Sequence, residues 1–354
     1  MTAPTASLAL VTGAPGWLGT RLVQSLVQGL PDVPTLASPV GERRVRCLVL
    51  RGSETTSLKK LGDAVELVEG DLTDAASVDA FVAGAEGATL FHSAGVIHPS
   101  RGTREFFEVN TEGTGRLVEA AKRAKVRRMV HVSSNSPIGT NPTKDHVFDE
   151  SAPYNPYMGY GKSKMLAEQR VRAANDEGLE TVVIRPPWFY GPGQPPRQAL
   201  FFTMIKDGKA PLVGPGDNRR SMAYVDNICQ GLLLCERVEQ ARGQVYWIAD
   251  RRPYAMTEII DTIERVLERD FAVKVAHGRM RLPGFASSVA WMADKLMQSV
   301  GLYHQKIHVL SEMNKTIACS IAKAERELGY DPKVDLEEGM RRSIRWMLDN
   351  GQSV

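Results

Sequence analysis

The stretch Thr12-Gly13-Ala14-Pro15-Gly16-Trp17-Leu18-Gly19 decides how this chain is read. It follows a short apolar run, Ser7 to Thr12, that reads as a buried strand, and it opens an amphipathic helix from about Trp17 to Gln28. In such a strand–turn–helix, Gly13 permits the tight turn, Gly16 lets the backbone approach a diphosphate, and Gly19 lets helix and strand pack closely. The amides around Trp17 and Leu18, at the positive end of the helix dipole, then face the anion. A glycine turn without a ligand is the competing reading. The position of the trio, between the first strand and the first helix, favours dinucleotide binding.

The alternation continues outward from that turn. Strand signals fall at Val45–Leu50, Val65–Val68, Ala88–Phe91, Arg128–Val132 and Thr181–Ile184, and helix-period segments at Ala75–Val82, Glu105–Ala124 and Tyr160–Asn175. Continuous apolar strands interleaved with helices predict a parallel sheet covered on both faces. The fold class is therefore α/β, a doubly wound parallel (Rossmann) sheet. After Pro186 the pattern changes: proline and glycine crowd PPWFYGPGQPPR, and helix-rich sequence follows, with amphipathic helices at Met256–Leu267 and about Leu336–Leu348. Residues 1–186 are expected to form the NAD(P)-binding domain and 187–354 a smaller, mostly helical substrate lobe. The two interleave, because Gln244–Ala249 reads as one more strand and would return 225–249 to the sheet.

Composition narrows the function classes. Of the 354 residues 43% are hydrophobic and 24% charged, which suits a large packed core. Lysine and arginine (44) exceed aspartate and glutamate (41) by three, so the charge balance indicates neither a nucleic-acid nor a membrane-surface protein. The longest apolar runs, such as Val245 to Ala249, are far short of the ~18 residues that span a bilayer. The start, MTAPTASLALVTGAPG, has no basic n-region and is read as carrying no secretory signal. Cys47, Cys229, Cys235 and Cys319 are scattered, which argues against a disulfide framework and for the cytoplasm. Secreted mini-protein, collagenous chain and disordered tail are excluded.

Strand ends supply the remaining cofactor candidates. The acid that usually follows the glycine turn by about 20 residues would be Asp32, which lies in the proline-rich insertion LPDVPTLASP. The second strand instead ends at Arg51, whose guanidinium suits a 2′-phosphate, so NADP is expected, with NAD the alternative. A solvated arginine at a strand terminus is the plainer reading. Asp71, in Gly70-Asp71-Leu72-Thr73-Asp74, is placed to accept from an adenine amino group beside Leu72, while Asp74 reads as a helix N-cap. The small Ser93-Ala94-Gly95 leaves space for the cofactor.

Tyr160 and Lys164 stand at i and i+4 on one helix face. A phenol titrates near 10, and a nearby ammonium favours the phenolate. Tyr160 then serves as general acid toward a carbonyl or base toward an alcohol, and Lys164 also holds the nicotinamide ribose. After the fifth strand, Val132-Ser133-Ser134-Asn135-Ser136-Pro137 offers a hydroxyl to stabilise charge on the substrate oxygen; Ser134 is the choice by register, and a turn-shaping role is the alternative.

These segments together resemble the extended short-chain dehydrogenase/reductases of the NAD-dependent epimerase/dehydratase type. The resemblance covers nearly the whole chain and rests on Thr12–Gly19, Gly70–Asp74, Phe91–Gly95, Val109-Asn110-Thr111-Glu112-Gly113-Thr114, Val132–Gly139, Tyr160–Lys164, Arg185-Pro186-Pro187-Trp188-Phe189-Tyr190-Gly191-Pro192 and Tyr224–Asn227. It implies Ser134, Tyr160 and Lys164 as catalytic residues, Pro187 beside the nicotinamide, and Asn110 either as a site anchor or as a helix N-cap. It also implies a homodimer through the helices Glu105–Ala124 and Tyr160–Asn175.

Departures from the family pattern bear on the substrate. Trp188 replaces the asparagine that contacts the diphosphate in nucleotide-sugar epimerases, and Ser134-Asn135-Ser136 replaces the Thr-Asp-Glu of dehydratases. The chain is thus more similar to 3β-hydroxysteroid dehydrogenases and sterol-modifying or dihydroflavonol-type reductases. A secondary alcohol or ketone on a bulky apolar skeleton is expected, held by Ser134, Asn135 and Trp188. A nucleotide-sugar epimerase or dehydratase is the alternative, since Arg219 or Arg220 could bind phosphate. A redox-inactive dinucleotide sensor is a further rival, against which the Tyr160/Lys164 pair argues.

Phe285, Val289, Met292, Leu296 and Val300 form an apolar stripe in 284–303. The favoured reading packs it on the core; otherwise it caps a pocket or touches a membrane surface. His304 and His308 are read as surface histidines, and Lys122–Arg128 as a solvated basic cluster at a helix C-terminus. No C-x-x-C or G-x-S-x-G occurs, so no metal and no serine hydrolase is expected.

Overall fold

The computed structural model describes residues 6–39, 42–175 and 178–354, so the opening MTAPT lies outside the described residues. Strands alternate with helices from the first element: β1 (Leu8–Thr12), α1 (Trp17–Gln28), β2 (Arg44–Val49), α2 (Thr56–Lys59), β3 (Val65–Glu69), α3 (Ala75–Val82), β4 (Thr89–His92), α4 (Thr114–Arg123), β5 (Arg128–Val132), α5 (Met158–Ala173) and β6 (Glu180–Arg185). The remainder comprises β7 (Trp188–Tyr190), α6 (Pro196–Lys206), β8 (Pro211–Val213), β9 (Arg219–Arg220), β10 (Met222–Tyr224), α7 (Val225–Arg237), β11 (Val245–Trp247), β12 (Tyr254–Ala255) and α8 (Met256–Phe271), then β13 (Met280–Leu282), α9 (Phe285–Ser299), α10 (Gln305–Glu312), α11 (Ala322–Leu328) and α12 (Leu336–Asp349).

Seven strands form one parallel sheet in the order β11-β6-β5-β4-β1-β2-β3. The order reverses between β1 and β4, and ligands of such sheets bind beyond the strand carboxyl ends at that switch point. Leu10, Val11, Leu90, Phe91, Met129 and Val130 are fully buried, because helices cover both faces. α1 and α7 close one face around Leu22, Val45, Ile228 and Trp247; α3, α4 and α5 close the other around Phe81, Leu117 and Val171. β11 adds the seventh strand beside β6, with Val245 opposite Val183, so the chain after Pro186 returns to the first domain.

A separate core fills the C-terminal lobe, where α8 and α12 pack Ile259, Ile260, Ile263, Met340 and Ile344 beneath β7 and β10. The insertion after α1 buries Leu30, Val33 and Leu36 on the first core, and its Asp32 is ion-paired to Arg342 of α12. That acid therefore ties the lobes together and stands apart from the glycine turn.

Several local expectations need correction. The segment Glu105–Ala124 is not one α-helix: Phe106–Gly113 is π-helical and only Thr114–Arg123 is α. Asn110 sits inside that wide turn and is buried, so it is no N-cap; its Oδ1 accepts from Val96 N and its Nδ2 donates to Val96 O and Ser163 Oγ, at 2.7, 2.9 and 3.0 Å. Arg128 of the basic cluster is wholly buried and donates to the carbonyls of Cys235, Glu236 and Val238 at the end of α7, where a cation offsets the dipole. His308 is not a surface residue: its Nδ1 is 2.7 Å from Asp294 Oδ2, while His304 caps α10. The stripe of 284–303 faces outward, not onto the core: Phe285, Leu296 and Val300 are 69%, 69% and 68% exposed.

Candidate active site

The glycine turn closes on itself so tightly that side chains are excluded. Gly13 has φ +90°, and a Cβ there would meet Ser93 Oγ at 2.5 Å; one on Gly16 or Gly19 would meet Gly13 O at 2.6 or 2.4 Å. No side chain caps the first turn of α1 and no acid lies in it. Its amides and the positive end of its dipole thus stand uncapped by any side chain at the switch point, and these residues fit a dinucleotide diphosphate. Leu18 and Gly19 are buried, so their part in that cradle is played by the backbone. The Trp17 side chain is engaged elsewhere: Nε1 donates to Pro192 O at 2.7 Å and the ring lies 5.9 Å from Phe189.

The neighbouring strand ends carry the other cofactor candidates. Arg51 follows β2 in a turn, 92% exposed at its side chain, with Nε 3.6 Å from Glu69 Oε2. Asp71 Oδ1 accepts from Thr73 N at 2.8 Å and shapes its own turn; Leu72 is buried under it. Asp74 caps α3, accepting from Ala76 N and Ser77 N. After β4, Ser93 Oγ donates to Thr12 O at 2.8 Å and Ala94 N to Thr12 Oγ1 at 3.3 Å, binding this turn to β1. A Cβ on Gly95 would come 3.2 Å from Asn110 Oδ1, so the residue leaves room that Asn110 needs.

The proton-transfer candidates converge on the end of β5. Tyr157 N donates to Ser136 O at 2.9 Å, and Gly161 lies so close that a Cβ would meet the same oxygen at 2.6 Å. The first turn of α5, carrying Tyr160, is thereby pinned to the loop carrying Ser134. Lys164 is buried and its Nζ donates to Val132 O at 2.8 Å. Burial pushes its ammonium down to about 8, opposed by the carboxylate of Glu168. Ser133 Oγ donates to Glu168 Oε2 at 2.8 Å and is committed to the core. Ser134 Oγ accepts from Ser136 N at 3.2 Å and otherwise keeps long contacts, 3.3 Å to Ser136 Oγ and 3.4 Å to Asn135 Oδ1. The Tyr160 ring lies 5.9 Å from that of Phe106.

Sequence reasoning missed what braces this pair. Glu168 is fully buried, accepts from Tyr154 OH at 2.9 Å, and is ion-paired at 2.6 Å with Arg185, which the R-P-P-W segment contains. The only signal was position, since Glu168 falls on the helix face of Tyr160 and Lys164. Near Lys164, the rings of buried His131 and His92 lie 5.0 Å apart, tilted by 32°; burial holds His92 down near 3 and His131 well below its usual value, so both are neutral there. Gln298 of α9 was also missed: its Oε1 accepts from Gly159 N at 3.0 Å, at the start of α5.

On the substrate side, Pro187 is buried between β6 and β7. Trp188 is half-buried, with its ring 5.6 Å from Phe201 of α6, so it packs on the C-terminal lobe. Arg220 donates through Nη2 to Glu312 O, and its Nε is buried without a hydrogen-bond partner among the described residues. No group of three or more His, Cys, Asp or Glu among the described residues could hold a metal ion. No helix among them is long and apolar enough to cross a membrane.

Comparison with known proteins fits this geometry. The model of the NAD-dependent epimerase/dehydratase family matches residues 9–249. An uncharacterised protein, y4nL, of Sinorhizobium fredii is 53% identical over 98% of this chain and 97% of its own length. A 3-beta-hydroxysteroid dehydrogenase of Mycolicibacterium neoaurum is 30% identical over 96% of this chain and 91% of its own. Among solved structures, a dTDP-glucose 4,6-dehydratase from Streptomyces venezuelae with NAD bound superposes with a TM-score of 0.72 at 27% identity, covering 97% of both chains.

Proposed function

The chain belongs to the NAD-dependent epimerase/dehydratase family, and from that premise we propose that it interconverts a secondary alcohol and a ketone on a bulky, mostly apolar substrate of sterol or polyketide type, with NADP as cofactor. One observation carries the reading: a buried lysine, held on the β5 carbonyl Val132 O, stands one helical turn from Tyr160 beside the Ser134 loop.

The bound nicotinamide supplies hydride for reduction and accepts it for oxidation. In reduction, Tyr160 gives its phenolic proton to the substrate oxygen as the carbonyl carbon becomes saturated; in oxidation the phenolate takes the alcohol proton. Lys164, charged below about pH 8, favours the phenolate and holds the nicotinamide ribose. Ser134 Oγ donates to the substrate oxygen and stabilises its developing charge. Asn135 and Trp188 line the approach, and the indole offers an apolar wall where a diphosphate-binding amide would stand. Gly13, Gly16 and Gly19 hold the diphosphate, Asp71 and Leu72 the adenine, Ser93 to Gly95 and Pro187 the flanks of the nicotinamide half.

The hydroxysteroid relative supports an apolar substrate. A nucleotide sugar is the second reading, favoured by the buried, unpartnered Nε of Arg220 and by the dehydratase likeness. Incubation with steroids, long-chain ketones and UDP- or dTDP-sugars side by side separates them. Net consumption of NADPH with a steroid or ketone is expected; conversion of a nucleotide sugar without net NADPH use overturns the choice.

NADP is preferred to NAD because Arg51 offers a guanidinium and no acid stands at the end of β2. Four buried, unpaired cysteines suit a reducing cytoplasm. A two-fold dimer is proposed through the surface of α4 and α5, the commonest symmetry for an oligomer.

A further inference from the structure

α9 is folded with its polar side in and its apolar side out. Asp294, wholly buried, bonds His308 Nδ1 and accepts from Gln298 Nε2 at 2.9 Å; Ser287 Oγ donates to Ser311 O at 2.8 Å. Gln298 also holds Gly159 N, so the helix is clamped to α10 and to the start of α5. Rotating it to hide the stripe would strip buried Asp294 of its partners, which is costly. Phe285, Val289, Met292, Leu296 and Val300, at helical spacing on one face, therefore stay in solvent, continued by exposed Leu302.

Exposed charge within the segment that carries the stripe has one sign. Between Met280 and Ser311 the only acid is the buried Asp294, whereas Arg281, Lys295 and Lys306 are exposed. Alongside runs a cleft of about 670 Å³ between α9 and α5, whose lining includes Lys162, Lys295, Lys315 and Trp291 and no carboxylate. Lys295 Nζ lies 4.9 Å from the centre of the Trp291 ring, which sits at the border of stripe and cleft. Apolar side chains edged by an indole and by lysines form the pattern of a helix lying in a lipid–water interface.

We propose that the outer face of α9, with the adjoining lysine cleft, docks the protein onto the surface of a bilayer containing anionic phospholipid. The stripe enters the acyl boundary, and Lys162, Lys295 and Lys315 meet the phosphates. The same hairpin holds the first turn of α5, so docking puts the candidate site at the edge of the phase in which an apolar substrate dissolves. The surface itself does not depend on the proposed reaction.

Flotation with vesicles tests it without substrate or cofactor. The wild type should bind vesicles of phosphatidylcholine mixed with phosphatidylglycerol at low salt, bind phosphatidylcholine alone far more weakly, and be released by high salt. Exchanging Lys162, Lys295 and Lys315 together for Gln should weaken binding roughly a hundredfold, and Leu296→Glu should abolish it; all are exposed or half-exposed positions whose variants should melt with the wild type. No binding to the anionic vesicles, or equal binding to both kinds, overturns the proposal. So does a self-association in light scattering that Leu296→Glu removes while vesicles retain nothing, because the occupant is then a second copy of this chain.

Discussion

At the scale of single residues, the site depends on how few groups are free to do chemistry. Ser133 and Ser134 are adjacent hydroxyls, yet Glu168 takes the first and leaves the second with contacts no shorter than 3.2 Å. Lys164 is buried, and burial holds its ammonium down to about 8 although it donates to a carbonyl. The charged lysine is the protonated form, so raising the pH through 8 removes the cation that favours the phenolate. kcat should therefore fall on the alkaline side of about pH 8, and a pH–rate profile flat up to pH 10 would contradict the role given to Lys164. Arg51 is judged by affinity: Arg51→Ala should weaken NADP binding about tenfold or more, as loss of a charge-assisted contact to phosphate does, and leave NAD binding nearly unchanged. Titration of both cofactors by tryptophan fluorescence reads this, and equal losses would contradict it. The glycine turn, the Tyr160/Lys164 spacing and the Asp74 cap were legible in the sequence because each is local, fixed within one turn of chain. The partners of Glu168 were not, since Arg185 lies 17 residues on and reaches it only after β6 joins the sheet.

Elements show the same division. Hydrophobic period located every strand of the central sheet through β6 to within two residues, because strands buried on both faces leave continuous apolar runs. It did not foresee the π-helical turn at Phe106–Gly113, where Asn110 bonds the Val96 backbone instead of capping a helix. Nor could it say which face of α9 is covered: a stripe shows that one face is apolar, whereas Asp294, His308 and Gln298 settle which face turns inward, and their pairing is tertiary. The β5–α5–β6 unit holds together through Glu168, whose carboxylate joins Ser133, Tyr154 and Arg185. Glu168→Leu leaves the Arg185 guanidinium buried without its anion and should cost about 3–5 kcal/mol in denaturant unfolding. A loss below about 1 kcal/mol would mean that the pair does not brace the unit.

The whole molecule is a parallel sheet with a helical lobe that reaches back through contacts such as β11 beside β6, Asp32 on Arg342, and Gln298 on Gly159. On the helices of the proposed dimer, Glu112 and Arg170 form an exposed ion pair at 2.7 Å and a cleft of about 590 Å³ runs between α4 and α5. Light scattering at micromolar concentration should give the mass of two chains, and a monomer would contradict the dimer. In the proposed reaction this sheet presents Tyr160 as the proton donor of a nicotinamide-dependent reduction. Its most direct measurement is the rate of NADPH absorbance loss with an accepted ketone, for wild type and Tyr160→Phe, with cofactor affinity measured on the same samples. Turnover should fall about 10²-fold or more with affinity and melting temperature retained; turnover by Tyr160→Phe equal to the wild type would contradict that role for Tyr160.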